Sequence, residues 1–289
     1  MTAYLGKKAL LVTLNISQWT ARKLDRKITD EVNLDHGAVA DAGRYNKMLL
    51  PAKALATIQK VVGEARKCHE NLTMPWGNNG QRLLAATLYE DYNKRMRVYE
   101  ASFRAAVSDF VDSYPDYVEQ RRNELNGMFR QEDYPTEAAI RSKFAWANEP
   151  APLADADDFR VQVSEGHAEA IKAQIEATLK ATAEAALREP LTRAVDLVGR
   201  MVDRLNVYQP NAGKVGSFRD SLVGNLEELA DLLPAFNLSE NPDIDVLSGE
   251  IKSRLCRESA QALRDNEGVR KAVAKDAADI LARVESLLS

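Results

Sequence analysis

Two long apolar patterns at helical spacing constrain this chain more than any other feature. Leu84, Leu88, Tyr92, Met96, Tyr99, Phe103, Ala106, Phe110 and Tyr114 recur every three or four residues. Ile171, Ile175, Leu179, Ala183, Leu187, Leu191, Val195, Val198, Val202 and Leu205 do the same. Apolar side chains at this period share one face of an α-helix, and that face must be covered. The first pattern predicts a helix from residue 81 to about 113, ~50 Å long at ~1.5 Å per residue. Pro115 kinks it or starts a second helix, and Pro190 bends or splits the other pattern. The spacing drifts from a strict heptad, which favours packing within the chain over a coiled-coil dimer.

Period-two patterning is confined to a few places. Leu10, Val12 and Leu14 alternate with Leu11, Thr13 and Asn15, so residues 9–16 read as a strand. Phe144, Trp146 and Pro150 to Leu153 form one extended piece, and Phe159, Val161 and Val163 form another. Pro150 and Pro152 favour an edge position for theirs. The fold class expected is α+β, mainly α: long antiparallel helices with a small sheet of about three strands at one end. Residues 52–70 read as a helix and "TMPWGNNGQR" as a loop. Beyond the linker "QPNAGKVGSF", helices are expected over 217–233, 244–265 and 268–288. The expected division is a long-helix body with its sheet over 1–209 and a helical region packed on it over 210–289.

Charge is unevenly spread. Net charge is −4, yet residues 1–60 hold ten Lys or Arg against five Asp or Glu. Within that segment Ser17 reads as a helix N-cap, with Trp19, Leu24, Ile28 and Val32 on one stripe. Arg22, Lys23, Arg26 and Lys27 then fall off the stripe toward solvent, with Asp25 between them, and Arg44, Tyr45 and Lys47 follow. These seven residues are the candidate binding face. Cations beside aromatics suit phosphate contact and base stacking, but no nucleic-acid recognition motif accompanies them and the pI is acidic.

Motifs for chemistry are lacking. His36, His69 and His167 share no metal-ligand spacing, and Cys68–His69 has no second pair to complete a tetrahedral set. Asn241, Asp243 and Asp245 stand at calcium-loop spacing, but Val246 and Lys252 occupy the positions that need Gly and Glu. Asp155, Asp157 and Asp158 read as a solvated turn. "GKVGS" at 213–217 has the wrong order for a phosphate loop. Adjacent Cys68 and His69 on a helix would point roughly 100° apart, which is poor geometry for a nucleophile and its base. No cofactor is expected. The two cysteines suit a reducing compartment, and neither a spanning segment nor a signal peptide is read, so a cytoplasmic location without membrane attachment is expected.

"ISQWTARKLDRKITDEV", "DAGRYNKMLLP", "MPWGNNGQRLL", "FVDSYPDY", "MFRQEDYPT" with "IRSKF", and "DDFRV" resemble an uncharacterised domain-of-unknown-function family of bacteriophages, integrative elements and proteobacteria. The resemblance covers most of the chain and is strongest from about 11 to 163. Genes of that family often neighbour a cobaltochelatase-like AAA+ ATPase and a von Willebrand factor A-type (VWA) subunit. The resemblance therefore implies a third component beside a motor and supplies no site residues. The expected function is a non-enzymatic phage or mobile-element adaptor or scaffold, with itself or an AAA+/VWA protein as partner, engaged through the long amphipathic helices between 81 and 209. A nucleic-acid-binding accessory role through the basic face is the alternative, and an enzyme with an unrecognised site is a third reading.

Overall fold

The structure, a computed structural model, describes residues 6–77, 79–153, 165–209 and 218–289. It is mainly helical, with a four-stranded sheet and a two-stranded ribbon, as the α+β pattern anticipates. The strands are β1 (Ala9–Ser17), β2 (Arg22–Leu24), β3 (Asn46–Met48), β4 (Met74–Pro75), β5 (Arg82–Ala85) and β6 (Ala145–Ala151). The helices are α1 (Arg26–Asp35), α2 (Ala56–Leu72), α3 (Tyr89–Asp112), α4 (Tyr114–Leu125), α5 (Glu137–Arg141), α6 (Glu165–Val207), α7 (Asp220–Phe236), α8 (Pro242–Glu250), α9 (Ala260–Asp265) and α10 (Glu267–Leu288).

The larger sheet has the order β4-β5-β1-β6, with β1 and β4 both antiparallel to β5. Leu10 faces Leu84 and Leu11 faces Leu83 across the first of these pairs. The stretch read as a loop is thus a hairpin: Gly77 and Gly80 take positive φ in its turn, and the Trp76 N–H donates to Gln81 O at 3.1 Å. The expected helix start at 81 is corrected to Tyr89, because Leu83, Leu84 and Ala85 are buried in strand β5. A short apolar run fits strand and helix equally, and pairing with β1 decides it. Strand β6 lies at the sheet edge, as its proline implies. The strand expected at 159–163 lies outside the described residues.

The chain divides into two compact units, which do not follow a division at residue 209. One contains residues 1–13, 70–91 and 150–289. Its axis is α6, which runs unbroken through Pro190 and packs on α10, α7 and β4. Leu191, Ala194, Val198, Met201 and Leu205 of α6, and Val273, Ala277, Ile280 and Val284 of α10, are buried at helical spacing. The single helix expected over 244–265 is interrupted. A π-turn at Ile251–Leu255 follows α8, and Ser259 caps α9 by accepting from the Ala262 N–H at 3.1 Å. Asn241 is the N-cap of α8, accepting from the Asp243 N–H at 3.0 Å, so its acidic spacing is a helix start.

The other unit contains residues 14–69 and 92–149. Its core joins Ile58, Val62 and Ala65 of α2 to Phe103, Val107 and Phe110 of α3, with Tyr134, Ile140 and Phe144. Phe110 contacts the rings of Tyr114, Tyr117 and Phe144 at centroid distances of 6.0, 6.2 and 5.6 Å. Pro115 stands in the first turn of α4, so a second helix begins there. Trp19 is half-buried at the margin of this core, edge-on to Tyr114 at 6.2 Å.

Candidate functional site

The helix expected from Ser17 to Val32 is not formed. Ser17 ends β1, Ala21 turns the chain with φ 50°, and β2 pairs antiparallel with β3. Helix α1 begins only at Arg26, capped by Asp25, whose carboxylate accepts from the Ile28 N–H at 3.4 Å. The Asp25 N–H in turn donates to Tyr45 O at 3.0 Å, so strand pairing and capping fix the same residue. The apolar stripe is corrected too: Leu24 and Val32 are exposed, and the buried side of α1 is Thr29 and Asn33, in line with Asp25. These polar groups are satisfied. The Thr29 hydroxyl donates to Asp25 O at 2.8 Å and accepts from the Tyr45 N–H at 3.0 Å. The Asn33 amide donates to Ala40 O at 3.1 Å.

Beside this cap lies a buried ionic network. Lys47 is only 2 % exposed, and its ammonium reaches Asp133 Oδ2 at 2.6 Å, Asp25 Oδ2 at 3.2 Å and Met128 O at 2.8 Å. Lys23 closes the set on Asp133 Oδ1 at 2.6 Å. Two cations thus meet two anions, and all three Lys47 protons are used. Burial works against the charge of both carboxylates. The Ile28 N–H and Lys47 outweigh it at Asp25, as Lys23 and Lys47 do at Asp133, and both carboxyls titrate below the usual range. Such carboxylates are poor bases at neutral pH, so the arrangement clamps β2, β3, the α1 cap and the 128–133 segment together.

Around the network a groove of about 480 Å³ is lined by Lys23, Leu24, Asp25, Arg26, Lys27, Lys47, Arg130, Glu132 and Asp133. It brings together four of the seven candidate residues: Lys23, Arg26, Lys27 and Lys47. Arg22, Arg44 and Tyr45 are exposed outside its lining. Lys47 is corrected from a surface contact to a buried strut, because its ribbon face turns inward onto Asp133. Asp133, Arg130 and Glu132 escaped the sequence reading, since nothing in the chain marks contacts made across 110 residues. With Asp25 and Asp133 engaged, the rim presents Arg26, Lys27 and Arg130 against Glu132, and Lys27 also pairs with Glu31 at 3.7 Å. The charges of α1 oppose its dipole: no acid stands in its first turn and no base in its last.

Large exposed hydrophobic residues cluster in the same segment. Of nine among the described residues, six are Leu24, Val32, Leu34, Val39, Tyr45 and Met48, with Leu34 80 % and Val39 70 % exposed.

Elsewhere in this unit His69 is tied to Tyr92. Its Nδ1 lies 2.8 Å from the Tyr92 hydroxyl, which donates to Asn148 Oδ1 at 2.8 Å, so the ring nitrogen is the donor. Burial raises the Tyr92 hydroxyl's pKa, with a smaller contribution from Cys68, which suits a structural chain of hydrogen bonds. Among the described residues no group of three His, Cys, Asp or Glu could hold a metal ion. Nor, among them, is any helix long and apolar enough to cross a membrane.

Fold and site together define a mainly helical α+β protein whose segment 22–48 exposes both apolar and basic side chains. Comparison with protein-family models, with curated proteins and with solved structures gives no match to this chain.

Proposed function

We propose that the protein is a binding module, an adaptor or scaffold that engages a partner protein through the face built from β2, α1, the 36–45 loop and β3. One observation carries this reading: six exposed large hydrophobic residues fall between positions 24 and 48. Apolar exposure concentrated in one short segment and interspersed with charge is a feature of association surfaces. The buried clamp at Lys47 supports the reading, since it holds a small, core-poor substructure in one shape for docking. The basic rim at Arg26, Lys27 and Arg130, with Arg22 exposed beside it, suits a partner whose contact surface is apolar and acidic. An AAA+ motor or its VWA companion is the partner class implied by the family resemblance.

The nucleic-acid alternative draws on the same cations but has fewer of them, because Lys47 is buried and Lys23 is engaged by Asp133. Leu34→Asp with Val39→Asp tests the protein reading, as both side chains are exposed and their loss spares the core. The double variant is expected to fold normally and to lose a partner that purified wild type rebinds in a two-component titration. Equal binding by wild type and double variant overturns the reading.

A further inference from the structure

We propose that the open edge of β2 receives an acidic, extended segment of a partner protein as a third strand of the ribbon. This rests on the protein-binding reading and specifies its contact. The register pairs Arg22 with Met48, Lys23 with Lys47 and Leu24 with Asn46. Hydrogen bonds from Leu49 N to Ala21 O and from Asp25 N to Tyr45 O fix which pairs exchange bonds. In an antiparallel ladder these alternate, so residues 21, 23 and 25 bond inward and the peptide groups of Arg22 and Leu24 point away from β3. No hydrogen bond engages those groups among the described residues. They are two N–H donors and two C=O acceptors at the spacing an added strand uses.

Of the ribbon's two open edges, that of β2 borders the groove. Lys23 and Leu24 of β2 line it, whereas β3 contributes only the buried Lys47. An added strand turns alternate side chains to the two ribbon faces. On one face it meets Arg22 and Leu24. On the other it meets Lys23 and the groove, where Arg26, Lys27 and Arg130 outnumber Glu132. Carboxylates suit that face, and aliphatic residues suit Leu24 on the other. A second copy of this chain is disfavoured as occupant, because antiparallel addition of β2 to itself in the fully overlapped register sets Lys23 opposite Lys23, with Arg26 and Lys27 close by.

The test uses the full chain and fluorescence anisotropy with a labelled peptide of alternating glutamate and valine, at about 150 mM salt. Its lysine–valine counterpart is the charge control. Two backbone-methylated forms, on the glutamates or on the valines, are the edge controls. The acidic peptide is expected to bind at least about tenfold more tightly than the basic one. One methylated form is expected to lose about tenfold and the other to bind almost unchanged, because only alternate N–H groups face β2. Leu24→Pro, which removes an edge donor, and Arg22→Glu with Lys27→Glu, which reverses charge, are each expected to weaken binding about tenfold. The paired charge reversal keeps the test open if Leu24→Pro fails to fold. Equal binding by the two methylated forms, or no preference for the acidic peptide, overturns strand addition. If that occurs while Leu34→Asp with Val39→Asp still abolishes partner binding, the protein-binding face survives; if neither effect is seen, both readings fall.

Discussion

Lys47→Met replaces the buried ammonium by a group of similar length and leaves its partners in place. Asp133 keeps Lys23 at 2.6 Å, but Asp25 keeps only the Ile28 N–H at 3.4 Å, and Met128 O loses a donor at 2.8 Å. Removing one partner of a buried ion pair costs about 3–5 kcal/mol. The surviving Lys23 contact places this variant near the lower end, at about 3 kcal/mol. Adding Asp25→Asn removes the stranded charge, so the double variant is expected to lose at least about 1 kcal/mol less than the two single losses combined. The assay is urea unfolding followed by tryptophan fluorescence in a Trp76→Phe background, because Trp19 and Trp146 both pack against the core of this unit. With a slope of about 1–3 kcal/mol per molar, the midpoint falls by roughly 1–3 M. The pH dependence has a definite sign. Both carboxyls titrate below their unfolded values in the native state, so their stabilisation is present above about pH 4, the unfolded Asp value, and is lost as pH falls through the lower folded values. Protonation also relieves the stranded charge of Lys47→Met, so the gap to wild type narrows in acid. A loss below about 0.5 kcal/mol at neutral pH, or a gap of the same size at about pH 3, refutes the clamp.

Trp19→Ala is expected to cost about 2 kcal/mol, less than for a fully buried tryptophan, because the ring sits at the core margin against Tyr114; thermal unfolding measures it. Asp35→Lys puts a cation at the C-terminal end of α1 and is expected to stabilise by about 0.5 kcal/mol at low salt, an effect that about 1 M salt removes. Single- or double-stranded DNA is expected to bind no tighter than about 1 μM at about 150 mM salt, measured by anisotropy; tighter binding lost on mutating Arg22, Lys23, Arg26 and Lys27 promotes the nucleic-acid reading.

Long-range order in sequence translated well into structure where one period persisted. Helices α3 and α6 bury the periodic positions Phe103, Phe110, Leu191 and Val198, and Pro115 and Pro150 fall where backbone rules place them. Short elements did not translate. Strand β5 carries Leu83 and Leu84 at a spacing a helix also accepts, and β2 has three residues, all exposed, with no alternation toward a core. The candidate site was legible as a charge excess but not as a geometry. Lys47 looked like its exposed neighbours, and its burial depends on Asp133, which only the fold brings within 2.6 Å. Asp25 stood in view as an interruption of the basic run, when it is both the helix cap and the ion-pair partner.

Site-specific photo-crosslinking in cells tests the adaptor account most directly. A benzophenone amino acid is placed in turn at Leu34, at Val39 and, as a control in the other unit, at Val246, which is 46 % exposed. The account predicts one discrete protein adduct from Leu34 and Val39, weakened by Arg22→Glu with Lys27→Glu, and no such adduct from Val246. Adducts from Val246 alone, or none from Leu34 and Val39, would contradict it.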